Sequence, residues 1–492
     1  MILLLLACQI PVEDSAVDGP EPLAPPRLLR RLSLDLRGTF PTVEELDAVE
    51  ADPSQLEVYR QQWLSEPALE EQLVLRLAER WHTRVDRFDV EPEDYGLLDD
   101  YGFHRSVGEE PLRLVARVAV SDRSWDEVVT ADHSVADERL ASIWPLEREQ
   151  GEGWTTARYT DGRPHAGVLT TNGLWWRYNT DVSNMNRRRV AAIERLLVCH
   201  ELLDRPVSFE GRDVSASVED AVHDDPACVA CHSSVDPAAA ALFGFWWVVD
   251  YSEVEASHYH PERERLGEEH LQVEPAWHGH PVSGPQDLAQ AIAADPRFPA
   301  CAVQTFAELT WRRPVDPLQD SAELARLLQV FEDGDRRVLP LLDALTAGAT
   351  YRSAERHQPL PPDLIASAWE DLSGFRWTQL NVDLMDEDPR GLRVLAGGVD
   401  GERATSPQTE PGLTRTLVLE QLAERASLHA QEQGQELDME QLYWRTTGER
   451  PTLSDLDPYR LVLDSLSAGE QADEAQAATR AAMLRDPLAV TW

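Results

Sequence analysis

Leu28-Leu29-Arg30-Arg31-Leu32-Ser33-Leu34-Asp35-Leu36, closed by Arg37-Gly38-Thr39-Phe40-Pro41-Thr42-Val43-Glu44-Glu45-Leu46-Asp47, sets the fold class. Leu28, Leu32 and Leu36 recur every four residues with Leu29 beside them, which makes one apolar face on a 3.6-residue helix. Gly38 stops that helix, and Thr42 with Glu45 is the capping box of the next. The same signals run outward. Leu69, Leu73, Leu77 and Trp81 make a second stripe, Ala, Leu, Glu, Gln and Arg fill exposed positions, and alternating β-branched runs are scarce. Thr447-Gly448-Glu449-Arg450-Pro451-Thr452-Leu453-Ser454-Asp455-Leu456-Asp457 repeats the stop-and-cap pattern, and Trp311-Arg312-Arg313-Pro314 is a weaker echo. Two clear copies are too few for a solenoid and read as one helix–turn–helix unit used at both ends. The sequence predicts a mainly α, multi-domain helical protein.

Composition narrows the function. A length of 492 residues suggests about three domains. The chain carries 45 basic and 88 acidic residues, a formal net charge of −43, and every basic residue is arginine. Such a balance speaks against nucleic acid, whose phosphates need cationic partners, and against a polybasic grip on anionic lipid. With no lysine there is no Schiff-base lysine, P-loop lysine or kinase lysine. No apolar run reaches the roughly 18 residues of a membrane span.

The opening Met1-Ile2-Leu3-Leu4-Leu5-Leu6-Ala7-Cys8 has the form of a bacterial lipobox, with Cys8 as the residue to be cleaved and acylated. The apolar stub is short and lacks a basic n-region, so the expected start codon lies upstream. A proline-rich acidic stretch follows and reads as a solvated tether. The expectation is an exported protein, lipid-anchored at the periplasmic face or outer surface of the outer membrane, with no other membrane contact.

The chemistry lies in Asp224-Asp225-Pro226-Ala227-Cys228-Val229-Ala230-Cys231-His232. C-x-x-C-H is the attachment signature of c-type haem. Cys228 and Cys231 share one face of a helical turn and can form two thioethers, while His232 offers an imidazole to the iron. Asp225 and Pro226 suit the cap and first position of that helix. A zinc site wants a second pair at finger-like spacing, for which Cys199-His200 is a poor substitute, and a thioredoxin-type pair wants a βαβ context.

Around this motif a wider pattern resembles the cytochrome-c-like proteins of planctomycetes and myxobacteria that are built from domains of unknown function. It rests on Cys228–His232 followed by Val235-Asp236-Pro237 and Phe243-Gly244-Phe245-Trp246, on Leu28–Leu36 with Pro41-Thr42, and on Ser124-Trp125-Asp126-Glu127-Val128-Val129-Thr130-Ala131-Asp132. Gly167-Val168-Leu169-Thr170 and the stretch from Pro299-Ala300-Cys301 to Trp311–Pro314 extend it. The resemblance implies a haem-motif domain flanked by helical domains and carries no established reaction. Ala238–Ala241 and the insertion Ser252–His280 depart from the pattern. The chain accordingly divides into a signal remnant and tether (1–23), an N-terminal helical domain (24–155) and a haem-c-like domain (156–251). A polar His-rich insertion read as a long loop (252–284), a following helical domain (285–357) and a C-terminal helical domain (358–492) complete it.

Cysteine arithmetic leaves Cys199 and Cys301, an even pair in an oxidising compartment, as a candidate disulfide closing about 100 residues. Met185, the only methionine between Met1 and Met385, is the candidate sixth ligand, with Arg187–Arg189 read as partners of haem propionates. His223, His200 and His165 compete for that position. His258, His260, His270, His278 and His280, with Glu268 and Glu269, offer a possible metal site or are plain loop histidines. Trp246 and Trp247 are core residues or a haem wall. Two functions remain in front: electron transfer to an unidentified redox partner protein, or a haem-dependent enzyme handling peroxide or oxidising polysaccharide. A binding scaffold with structural haem is the third. A closed six-coordinate iron favours the first and an open site the second.

Overall fold

The computed structural model describes residues 21–492 apart from 86, 89–91, 99, 205–221, 223–224, 247–257, 355–357, 380–381, 387–389, 411 and 468–471. Cys8, His223 and Trp247 lie outside the described residues. Among the described residues twenty-two α-helices make the protein mainly helical, as the periodicity predicts. None of the described helices is long and apolar enough to cross a membrane.

The helix Pro25–Leu36 is amphipathic by sequence, yet every residue from Leu28 to Leu36 is buried. Its leucine face enters a core that draws on residues from Leu23 to Tyr351 and on Trp444. Leu34 and Phe40 enter a second core, otherwise built from Leu360 to Trp492. Two arginines on this helix are buried without a hydrogen-bonded carboxylate and donate to backbone carbonyls instead. Arg30 donates to Thr446, to Ala489 at 2.8 Å and to Thr491 at 2.8 Å. Arg31 donates to Tyr351 at 2.6 Å and Ser353 at 3.0 Å. Asp35 collects Arg76, Arg312 at 3.1 Å and the Tyr351 hydroxyl at 2.7 Å.

The two stop-and-cap copies face each other. Gly38 and Gly448 both take the left-handed backbone that ends a helix, with φ of +75° and +72°. Thr42 and Glu45 form the reciprocal capping box, and the Thr452 amide donates to Asp455 at 2.7 Å. Across the pair, the Trp444 indole donates to Asp47 at 3.0 Å and Arg445 to the Pro41 carbonyl at 3.0 Å.

Strand content is small among the described residues. Ser134–Ala136, Leu146–Arg148 and Thr155–Tyr159 form an antiparallel sheet with Thr155–Tyr159 in the middle. The Glu/Gly-rich stretch at 147–155 is chiefly the hairpin turn of this sheet, and position 155 lies in its central strand. The end of the tether is also held: Leu23 is buried, its amide donates to the Arg352 carbonyl at 2.8 Å, and Pro22 bridges to Ser353. Segment 252–284 is not one long loop in its described part. It contains the helix Leu266–Leu271 and the hairpin strands Ala276–Trp277 and His280–Pro281, and it buries Tyr259, Leu271 and Trp277. Elements of two to six residues are too short to show a period.

Two stability effects follow. Asp35→Ala leaves two buried guanidiniums facing an empty site and should cost about 3–5 kcal/mol in denaturant unfolding, whereas Tyr351→Phe should cost only about 1 kcal/mol. Glu110 is buried and accepts from Ser134 at 2.9 Å, Tyr159 at 2.7 Å and the Gly173 amide at 2.9 Å. Burial nevertheless pushes it up to about 7 from its ordinary 4.5. The folded state therefore holds a proton that the unfolded chain has lost, so this contribution is full below pH 4.5 and disappears as pH rises through 7. Glu110→Gln should flatten the stability–pH profile across that window by on the order of 3 kcal/mol.

Candidate functional site

The motif sits on the helix Pro226–Ala240. Pro226 opens it, losing no hydrogen bond there because a first-turn N–H has no intrahelical partner. The Asp225 carbonyl accepts from the amides of Cys228 and Val229 at 2.9 Å each. Cys228 and Cys231 are three apart, half-buried and not disulfide-bonded. Along the helix burial increases: Val235, Asp236 and Ala238–Ala240 are buried. The run of small alanines is what lets another element come close. A Cβ on Gly267 would stand 2.4 Å from the Ala240 carbonyl oxygen, so the helix Leu266–Leu271 packs backbone to backbone on the motif helix.

His232 and Asp236 are four residues apart and therefore on one face. The His232 Nδ1 lies 3.0 Å from Asp236 Oδ1. Asp236 is only 3% exposed, and Arg187 grips both its oxygens at 2.6 and 2.9 Å. Burial opposes ionisation of Asp236, but the hydrogen bonds from Arg187 and His232 outweigh it and hold the carboxyl below its usual range. With Nδ1 committed, Nε2 is the ring nitrogen His232 offers to a metal. Two thiols outside any disulfide, one turn apart, and an imidazole of fixed tautomer are the donor set that covalent haem requires.

Arg187 opens the helix Arg187–Leu197, and Met185 and Asn186 precede it in left-handed backbone with φ of +49° and +66°. Met185 is half-buried against the first core, and Asp236 ties its segment to the motif helix through Arg187. Each arginine of the triplet has a partner within the protein, Arg188 at an exposed position. Arg187 holds Asp236, Arg188 donates to Asn179 at 2.8 Å, and buried Arg189 donates to the carbonyls of Phe245 at 2.8 Å and Tyr178 at 3.2 Å.

The competing ligands are dispersed. His165 is exposed. His200 and His278 both bind Glu194, at 3.0 and 2.7 Å, and Arg297 lies 3.7 Å away. Burial works against the Glu194 charge, and the two histidines more than offset it, so the carboxyl stays below its ordinary range. His260 contacts Glu262 at 3.1 Å, His270 packs on Phe243 and Trp246, and His280 is exposed. The histidines of segment 252–284 thus do not converge, and no group of three or more His, Cys, Asp or Glu among the described residues is arranged to hold a metal ion. Trp246 is a core residue, 4.9 Å from Phe243 between ring centroids.

Cys199 and Cys301 are joined in a disulfide with Cα atoms 5.2 Å apart. It links the end of Arg187–Leu197 to the helix Arg297–Trp311 and stands beside the Glu194 cluster. Asp236 and Glu194 are the residues that sequence reading missed. Asp236 had a usable signal, an acid four residues after the motif histidine. Glu194 had none, because its partners come from residues 200, 278 and 297.

The chain matches no protein-family model, no curated protein and no solved structure. The disulfide makes a prediction of its own. Apoprotein from an oxidising compartment, unfolded without reductant, should be alkylated at Cys228 and Cys231 and not at Cys199 or Cys301. Replacing the latter pair by alanine should cost roughly 2–5 kcal/mol. Labelling of Cys199 and Cys301 without reductant contradicts the pairing.

Proposed function

We propose that the chain is a membrane-anchored, c-type-cytochrome-like protein that transfers electrons through one covalent haem. Cys228 and Cys231 would hold the porphyrin by thioethers, and His232 Nε2 would be the iron ligand. The observation that carries this reading is the motif turn itself. The two thiols left out of the disulfide stand one turn apart, next to an imidazole whose other nitrogen is fixed by a buried carboxylate.

When bound, the haem supplies a one-electron iron couple; the chain does the rest. Asp236 accepts the Nδ1 proton's hydrogen bond, which fixes the tautomer and ring plane of His232. Arg187 holds Asp236 ionised and, through the backbone, anchors the segment of Met185, the proposed sixth ligand. Acylation at Cys8 places the protein on the periplasmic face or outer surface of the outer membrane. The −43 charge favours a basic redox partner and speeds the encounter at low salt.

A second reading, a haem enzyme handling peroxide, is favoured by Asp236. A carboxylate behind the proximal histidine makes the imidazole more basic and the iron richer in electrons. Asp236 is a positioning residue in both readings.

Wild type made with c-type maturation machinery should keep haem staining after denaturation, and the Cys228→Ala, Cys231→Ala pair should lose it. Asp236→Asn should retain the haem and raise its midpoint potential. An unchanged potential removes Asp236 from the account, while an unstained wild-type band removes the haem. Ready cyanide binding by wild type at neutral pH selects the enzymatic reading. For the anchor, wild type expressed from an upstream start should partition into detergent and Cys8→Ser should not.

A further inference from the structure

The second core lies against the first along a cleft of about 510 Å3, a size within the range of small-molecule sites. Leu309, Pro314, Leu360 and Trp492 give it apolar walls. Its charged groups invert the sign of the whole chain: five arginines and His82 line it, against Glu79 and Glu308. Three of those arginines are internally neutralised. Arg80 pairs with Glu308, Arg312 with Asp35 at 3.1 Å, and Arg313 with Asp320. Arg415 lies deeper and donates to the carbonyls of Ala396 and Leu360 at 2.7 Å each.

Arg195 is different. It donates to the Tyr178 hydroxyl and, at 3.5 Å, approaches His82 Nδ1. Neither partner is an acid, and its buried Nε has no hydrogen-bond partner. His82 does not supply the missing charge. Its Nε2 donates to the Thr405 carbonyl at 2.9 Å, and burial together with the Arg195 and Arg177 cations lowers it to about 4. At neutral pH it is an uncharged acceptor for Arg195. Arg195 and Arg415 thus both lack a carboxylate among the described residues, but Arg415 is held by two carbonyls and Arg195 is the guanidinium with neither an acid nor a carbonyl acceptor.

We propose that this cleft binds a small monocarboxylate with an apolar body, its carboxylate received by the Arg195 guanidinium. The planar fork of arginine matches a carboxylate. The apolar walls suit an aromatic or aliphatic body, and Glu79 and Glu308 in the lining disfavour a polyanion such as a nucleotide triphosphate. The site does not involve the haem motif and stands whether or not haem is present.

The full chain is titrated calorimetrically at neutral pH with 2-naphthoate, its neutral isostere 2-naphthamide, and inorganic phosphate. Naphthoate should bind at least about ten-fold tighter than naphthamide, the increment of one charge-assisted pair, and phosphate should not bind measurably. Arg195→Gln should weaken naphthoate about ten-fold or more and leave naphthamide unchanged, while Arg326→Gln, outside the cleft, should change neither. Thr409→Trp, on the exposed rim, should block both naphthyl ligands. Equal affinity for naphthoate and naphthamide, no binding of naphthoate, phosphate bound as tightly as naphthoate, or full affinity in a folded Arg195→Gln protein each overturns the proposal. Should Arg195→Gln not fold, the wild-type ligand comparison decides alone.

Discussion

Asp35 is a carboxylate placed where two hydrophobic cores meet, and groups from three distant parts of the chain converge on it. Arg76 comes from the helix Ala68–Trp81, Arg312 from the end of Arg297–Trp311, and Tyr351 from the last turn of the first core. An ion pair taken out of water gains little overall but costs several kcal/mol to break, because the partner left behind is an unpaired buried charge. Those elements cannot shift independently. The same helix also orders the C-terminal region through Arg30 and the carbonyls of residues 446, 489 and 491.

This device recurs throughout. Glu109 lies among Arg84, Arg105 and Arg113, and although burial opposes its charge, those guanidiniums hold it at about 2. Asp386 shares Arg84 and Arg105. Glu194 and Asp236 repeat the pattern near the motif. A chain without lysine builds most of these from guanidinium, whose weak hydration and several donors suit it to buried pairs, while Glu194 is held chiefly by His200 and His278. Asp236 is the instance with chemical consequence, since the group it shares with Arg187 is the motif histidine.

What could be read from the sequence follows the range of each interaction. The helix Pro25–Leu36, the turns at Gly38 and Gly448, and the capping pair Thr42–Glu45 are local, and residues within five positions specify them. The motif turn is local too, and the Cys199–Cys301 pairing was reached by counting and not by geometry. Tertiary choices were not legible. Nothing in Arg187-Arg188-Arg189 reveals that one guanidinium meets Asp236 and another the Phe245 carbonyl, because those partners lie 49 and 56 residues away along the chain. The short helix and hairpin within 252–284 had no period to display, and its polar composition concealed Trp277, which is buried beside the motif helix. The Glu/Gly-rich turn at 147–155 has the composition of a linker and the role of a hairpin loop.

The central claim is that Cys228 and Cys231 carry haem covalently, and the intact mass of the exported, denatured and reduced chain tests it most directly. The account predicts the mass of the polypeptide plus one haem, retained under denaturation and assigned by fragmentation to the peptide containing Cys228 and Cys231. A polypeptide mass with no haem, and both thiols open to alkylation after co-expression with the maturation machinery, would contradict it.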